Sequence, residues 1–453
     1  MSTTPDSSTH PGGGNLFVHG GRVVGPDGPA PADVSIRNGR VVAVGTDIEP
    51  EEGQTTVDAT GAWVLPGQID PQVHFREPGM PQKEDLASGS RAAVAGGVTT
   101  FLEMPNTKPS TTTAEALDDK FERAKGRSLA DHGFFVGAAG ENVEELAVLE
   151  RHPGCPGIKM FMGSSTGSLL VSDDDTVEAV LRSGTKRVTV HSEDEEILQA
   201  NYRNLAPNTP VTEHHNVRSI EAAVRCTTRL LNLAEKTGRP VHVLHISTAE
   251  EIDLILERDL GDLVTCEATP NHLFLAAPEC YERYGAWAQM NPPVREQRHQ
   301  DRLRRALTEG PVTCIGSDHA PHTIEDKARP YPQCPSGIPG VQTTLALLLT
   351  AVRDGWLSWA DLLRLTITGP CEVYGLRNKG LIAPGNDGDL AIVDPELTDN
   401  PGEDWLQSRS KANPFLDREW AGRTVTTVVR GQVVWHQGEA VGDPIGAPVS
   451  FAQ

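Results

Sequence analysis

Apolar positions along the chain follow two different rhythms. Near both ends they form short, alternating or continuous runs: residues 16–18, 22–24, 34–36 and 41–44 at one end, and 389–393, 424–429 and 432–435 at the other. Gly-Gly, Asp-Gly and Asn-Gly pairs break up the first set, and Arg430-Gly431 supplies a turn in the second. Such punctuation marks hairpin-connected strands. The pattern predicts one small β-sandwich assembled from both termini, residues 15–61 and 386–453.

The middle, residues 62–385, alternates strand-like and helix-like segments. Apolar strand candidates fall at 62–65, 100–104, 133–137, 157–162, 187–190, 241–244, 264–266 and 312–315. Helix-like stretches separate most of them. Residues 84–95 and 219–236 are examples, the latter with apolar positions at helical spacing. Ser172-Asp-Asp-Asp opens another with acidic groups suited to a helix N-terminus. Eight such units predict an α/β fold in which a (β/α)8 TIM-like barrel fills the middle of the chain. The connection 268–310 is long and contains proline, and long loops in compact domains tend to be functional.

Composition narrows the class. A chain of 453 residues suggests one large domain and a smaller one. No run of 18 apolar residues predicts a membrane span. Residues 1–14 are rich in Ser, Thr, Pro and Gly and read as a disordered tail without the blocks of a signal peptide. Seven scattered cysteines without a Cys-x-x-Cys pair suggest a reducing, cytoplasmic setting. A net charge of −22 argues against nucleic acid as a partner and reads as a highly soluble surface; the expectation of a small-molecule substrate comes from the candidate chemistry at the strand ends.

Candidate chemistry gathers where the predicted strands end. The first strand runs into Gln72, His74 and Arg76, which an extended chain would turn to one face. Asn106 follows the second strand, Lys159 lies on the fourth, and His191 and His245 close the fifth and sixth. The seventh leads through Glu267 to His272, and the eighth ends in Asp318-His-Ala-Pro-His322. Polar groups at the C-terminal ends of strands are what a barrel active site requires. A single histidine here reads as an ordinary core residue. His74, His191 and His245 taken with Asp318 read as ligands for zinc or a similar divalent ion. Asp318 can also serve as a general base.

Lys159 carries two readings: a binder of a substrate carboxylate or a surface residue, and an amine converted by carbon dioxide into an anionic carbamate that bridges metals. Arg76, Asn106 and His322 read either as structural groups or as a grip on a substrate carboxylate, and Asn291 as a partner for a ring amide.

These residues lie in stretches that resemble the cyclic amidohydrolases, most closely the dihydroorotases of the long, bacterial type. The stretches include Val73-His-Phe-Arg-Glu-Pro-Gly79, Met104-Pro-Asn-Thr107, Ile158-Lys-Met-Phe161, His191-Ser-Glu-Asp194, Leu244-His-Ile-Ser247, Asn291-Pro-Pro293 and Asp318-His-Ala-Pro-His322. The resemblance spans residues 15–436. It implies two zinc ions, one on positions 72 and 74, carbamylated Lys159 and Asp318, the other on Lys159, His191 and His245. It further implies that Arg76, Asn106 and His322 hold the substrate carboxylate, while Asn291 and main-chain groups at Ser336 and Gly337 bind a pyrimidine ring.

One position departs. The family carries His-x-His on the first strand, whereas this chain has Gln72-Val-His74. Gln72 offers a neutral carbonyl, a poorer zinc ligand. The first metal is then weakened, or the second works alone, or the chain is a non-catalytic subunit of a transcarbamoylase complex. With every other ligand present, an active dihydroorotase is expected, a homodimer by default, with allantoinase or hydantoinase chemistry as the rival.

Overall fold

The computed structural model describes residues 13–164 and 169–452. The tail expected over 1–14 lies outside the described residues except at Gly13 and Gly14. The Gly14 amide donates to the Arg430 carbonyl at 2.9 Å, so this end of the expected tail is anchored.

The middle of the chain forms parallel strands that follow one another in sequence order. Gln68–Val73 pairs with Val98–Glu103, which pairs with Asp131–Phe134. A second parallel sheet runs from Val136–Gly137 through Ile158–Phe161, Val188–His191, Val241–Val243 and Val264–Ala268 to Val312–Ile315. The chain steps between the two sheets at Phe135, whose amide donates to the Glu103 carbonyl at 3.0 Å. At the opposite edge Val73 and His319 form a parallel bridge, and the His74 amide donates to the His319 carbonyl at 2.8 Å. Most positions on these strands are buried, which is why they read as apolar runs rather than alternating ones.

Helices cover the outside, and their starts are chemically specified. Asp85 caps Leu86–Ala95 by accepting from the Ser88 amide at 2.8 Å, while the Ser88 hydroxyl accepts from the Asp85 amide. Asp173 caps Asp174–Arg182, and Ser219 caps Ile220–Thr237, which ends at Gly238 with φ +69°. The long connection after Val264–Ala268 is partly helical, with Pro270–Phe274, Glu279–Tyr284 and Gln297–Glu309 inside it.

Two further sheets come from the chain ends. One orders Arg40–Gly45, Asp33–Arg37, Leu16–His19 and Thr55–Asp58. The other carries Gln432–His436, Arg423–Val429, Leu390–Asp394, Trp63–Pro66 and Arg22–Gly25 as neighbours. Leu16, Val34, Ile36, Val64, Leu390, Ile392 and Val428 form a hydrophobic cluster drawn from both sheets.

This corrects the reading of residues 62–65 as the first parallel strand. Trp63–Pro66 pairs antiparallel with Leu390–Asp394 and so joins the terminal sheet. The first parallel strand is Gln68–Val73, past Gly67.

A buried ionic cluster ties the layers together. Lys379 Nζ lies 2.7 Å from Asp131, 2.9 Å from Asp387 and 2.7 Å from Asp389, and Arg430 also pairs with Asp131. Burial alone would push the Asp131 carboxyl up, but Lys379 and Arg430 outweigh it and hold it well below the usual range. The three carboxylates face an ammonium, so they are a structural staple rather than a cation site.

Candidate active site

The ends of the parallel strands enclose a small cavity lined by Gln72, His74, Lys159, Phe161, His191, His245, Asn291, Asp318, Ala320, Ser336 and Gly337. The backbone is bent to aim these groups. Arg76, His245 and Asp318 adopt φ of +64°, +36° and +47°, a region that costs a non-glycine residue about 1–3 kcal/mol and clusters at functional sites. The Phe75 amide between His74 and Arg76 donates to Glu103 Oε1 at 3.1 Å, and Glu103 is itself paired with buried Lys120 at 2.6 Å.

On one side of the cavity His191 Nδ1 and His245 Nε2 stand 3.1 Å apart with their rings at 80°. His191 Nε2 donates to Glu193 Oε2 at 2.9 Å. Burial would raise the Glu193 carboxyl, but Arg218, in contact with it, holds it well below the usual range. The carboxylate therefore fixes the His191 tautomer, leaving the Nδ1 lone pair facing His245. Burial keeps both imidazoles neutral, well below their ordinary value for His245. Two neutral imidazoles meeting through ring nitrogens suit a shared divalent cation at about 2.0–2.1 Å from each nitrogen.

Lys159 reaches the same cavity. It is 1% exposed, and among the described residues no carboxylate lies within ion-pair distance of it. Its Nζ sits 4.4 Å from the centre of the Phe161 ring. Burial pushes its pKa down to about 7. A substantial share of this amine is then uncharged and nucleophilic near neutrality, which is what reaction with carbon dioxide needs.

On the other side Asp318 Oδ1 is met by two groups. His74 Nε2 lies 3.1 Å away, and Gln72 Nε2 donates to it at 3.1 Å. His74 Nδ1 lies 2.7 Å from Asn106 Oδ1, to which it donates, so the Nε2 lone pair is directed at the cavity. Gln72 Oε1 is buried and without a hydrogen-bond partner. An imidazole lone pair and a carboxylate oxygen this close fit a cation better than they fit each other. Gln72 meanwhile supplies an amide donor where the resemblance implies a ligand.

Arg76, Asn106 and His322 do not line the cavity itself. Arg76 is 2% exposed, donates through Nε to the Pro321 carbonyl at 3.2 Å, and has no carboxylate within ion-pair distance among the described residues. Burial pushes its pKa down to about 10, so it stays charged at neutral pH. Lys83 Nζ donates to His322 Nδ1 at 3.0 Å, and His322 Nε2 lies 2.9 Å from the Ser336 carbonyl and 3.3 Å from Arg76 Nη2. Asn106 orients His74. Two of the three groups expected to meet a carboxylate thus already have positioning duties, and Arg76 is the one left with an unanswered charge.

Asn291 and the Ser336–Gly337 stretch form the opposite wall. His214 Nε2 lies 2.9 Å from the Met290 carbonyl and 3.1 Å from Asn291 Oδ1, so it sets the orientation of the Asn291 amide. Ser336 and Gly337, expected to meet a ring through main-chain groups, line the cavity, and the Gly337 main chain is also tied to its neighbours. The Gly337 amide donates to the Gln289 carbonyl at 2.8 Å, and the Gly337 carbonyl accepts from Lys327 at 2.9 Å.

A second group of donors lies earlier on the same strands. His242, Glu267 and Cys314 are fully buried with ligand atoms within 4.8 Å of one another. Burial holds Glu267 well above and His242 well below their ordinary values, so this trio reads as an uncharged network within the strands. The sequence reading missed the supporting groups Glu193, Arg218, His214, Lys83 and Lys327. Glu193, two residues after His191, and Lys83, in the stretch Lys83-Glu-Asp-Leu86, did lie in segments that carry the family resemblance.

Comparison with known proteins bears on this arrangement. A profile described as Amidohydrolase family matches residues 63–434. The chain is 36% identical over 423 residues to a dihydroorotase of Methanosarcina mazei, covering 89% of this chain and 91% of that one. It is 31% identical over 435 residues to an allantoinase of Salmonella choleraesuis, covering 93% and 95%. In three dimensions it matches an L-hydantoinase (dihydropyrimidinase) from Arthrobacter aurescens with a TM-score of 0.91, at 29% identity over 96% of this chain and 99% of the other.

Proposed function

The chain belongs to the amidohydrolase family, and from that membership we propose that it is a dihydroorotase, interconverting (S)-dihydroorotate and N-carbamoyl-L-aspartate. The strands are read as a (β/α)8 barrel with the two terminal sheets as a β-sandwich beside it. The observation that carries the substrate assignment is the buried Arg76 guanidinium beside the cavity, with no protein carboxylate to neutralise it. A substrate carrying a carboxylate supplies the missing charge through bidentate hydrogen bonds. Allantoin and simple hydantoins lack that group.

His191, His245 and Lys159, the last as its carbamate, would hold one zinc ion, with His74 and Asp318 available to a second. A divalent cation bound there polarises an amide carbonyl and acidifies water. The chain's own residues do the rest. Arg76 fixes the carboxylate and hence the ring's orientation. Asn291, oriented by His214, faces the ring amide. Asp318 takes a proton from the attacking water and returns it to the ring nitrogen as the C–N bond breaks.

Gln72 favours a centre in which the His74–Asp318 half holds its cation weakly. Its amide N–H donates to Asp318 Oδ1 and so orients that carboxyl group in the cavity. The persistence of His74, Lys159, His191, His245 and Asp318 in one cavity supports catalysis over a silent subunit role. The test is turnover by the zinc-loaded protein on dihydroorotate, allantoin and hydantoin in parallel. Hydrolysis of dihydroorotate is expected. Turnover of allantoin alone moves the assignment to the rival, and no turnover without a transcarbamoylase moves it to the subunit reading.

A further inference from the structure

Behind the wall formed by Asn291, Ser336 and Gly337 sits a lysine that does not itself line the cavity. Lys327 ends the short helix Ile324–Lys327 and is 3% exposed. Its Nζ donates to the carbonyls of Gly337 at 2.9 Å, Pro335 at 3.2 Å and Gln289 at 3.3 Å. An ammonium has three protons, and three carbonyls use them all. Among the described residues no carboxylate lies within ion-pair distance of it. Burial lowers the Lys327 pKa to about 7, so holding this amine protonated among backbone dipoles alone is costly, and a methylene chain of the same volume would avoid that cost.

The carbonyls come from two segments that are distant in sequence. Gln289 lies two residues before Asn291, and Pro335 and Gly337 flank Ser336. Further bonds stitch the same two segments. The Gly337 amide donates to the Gln289 carbonyl. Gln289 Nε2 donates to Ser336 Oγ at 2.9 Å and to the Cys334 carbonyl at 3.1 Å, and the Cys334 thiol donates to Gln289 Oε1 at 2.8 Å. Removing the ammonium would leave three carbonyls converging on an apolar gap, and their mutual repulsion would spread the two segments.

We propose that Lys327 is a positioning residue for the ring-binding wall: it locks residues 289–291 to residues 334–337 so that Asn291 and Ser336 present a fixed surface to a cyclic amide substrate. This rests on the dihydroorotase reading for the identity of the ring. It does not rest on that reading for the mechanical coupling of the two segments.

The experiment therefore reads both. Zinc-loaded wild type, Lys327→Met and Lys327→Gln are compared in dihydroorotate hydrolysis and, without substrate, in amide hydrogen exchange resolved by peptide. Losing charge-assisted hydrogen bonds worth what such bonds usually contribute raises KM about ten- to a hundred-fold for Lys327→Met. The expected change in kcat is several-fold smaller, with unaltered zinc content. Exchange should accelerate in peptides covering 288–292 and 334–338 while the parallel strands stay protected. Lys327→Gln retains two donors and should fall between the other two, and it serves alone if the methionine variant does not fold. An unchanged KM, or a fall in kcat that matches the loss in kcat/KM, overturns the positioning role. So does exchange that is unchanged in the two segments or raised throughout the chain. If wild type fails to hydrolyse dihydroorotate, the substrate assignment falls. The exchange data then decide the coupling by themselves, with local acceleration upholding it and none refuting it.

Discussion

Gln72 donates its side-chain amide to Asp318 Oδ1 at 3.1 Å, the same oxygen that His74 Nε2 approaches at 3.1 Å. An imidazole at position 72 would offer a lone pair to a cation, whereas this amide offers a proton to the carboxylate. On the proposed reading, Gln72 leaves the His191–His245 side to hold a metal and biases the His74–Asp318 side towards hydrogen bonding. Gln72→His should raise zinc content from one ion per chain towards two, read by elemental analysis after dialysis against buffered zinc. Unaltered stoichiometry would show that position 72 does not govern the second site.

Asp318→Asn should lower kcat by about a hundred- to ten-thousand-fold, the usual range for a general base. Its thermal midpoint should stay close to wild type, because the asparagine still fits beside Gln72 and His74. Retention of most activity would remove Asp318 from proton transfer.

Arg76→Met should raise KM for dihydroorotate by roughly ten- to a hundred-fold, the effect of losing a charge-assisted hydrogen-bonded partner. Binding of an uncharged ring lacking the carboxylate should change little. If both ligands weaken equally, Arg76 serves the fold through its bond to the Pro321 carbonyl and not the substrate.

Stability should depend on the Lys379 cluster with a definite sign. Burial alone would lower the Lys379 pKa, but Asp131, Asp389 and Asp387 raise it well above the ordinary value. Its contribution is therefore complete below the unfolded value of about 10.4 and is lost as pH climbs through the folded one. Asp131 is shifted the other way, so its share is present above about 3.9 and fades as pH falls through its lowered folded value. Lys379→Met should cost about 3–5 kcal/mol at pH 7, since it leaves buried carboxylates unanswered. The deficit should shrink towards pH 4 as those groups take up protons. A denaturant series at several pH values checks both the size and the slope.

The sequence carried the architecture further than it carried the details of the site. Apolar runs located the strands well: residues 312–315 were read with the bounds they have in Val312–Ile315. The error at 62–65 has a physical origin. Trp63–Pro66 is apolar because the terminal sheet buries it, while the true first parallel strand, Gln68–Val73, contains Gln68, Asp70 and Gln72 and looks polar. Its polar side chains are buried too, Asp70 and Gln72 among them. Simple two-residue alternation placed Gln72 and His74 together, and both line the cavity. It failed at Arg76, because the strand stops at Val73 and Arg76 turns into the left-handed region. The groups that hold the site in place from a distance, Arg218 on Glu193 and Lys83 on His322, depend on contacts between segments far apart in sequence, which no periodicity encodes.

The most direct test of the whole account is an anomalous-scattering map from crystals of the zinc-loaded protein. The account expects a zinc peak about 2.0–2.1 Å from both His191 Nδ1 and His245 Nε2, with extra density on Lys159 Nζ shaped as a carbamate. A map with no peak between those two nitrogens and an unmodified Lys159 amine would contradict it.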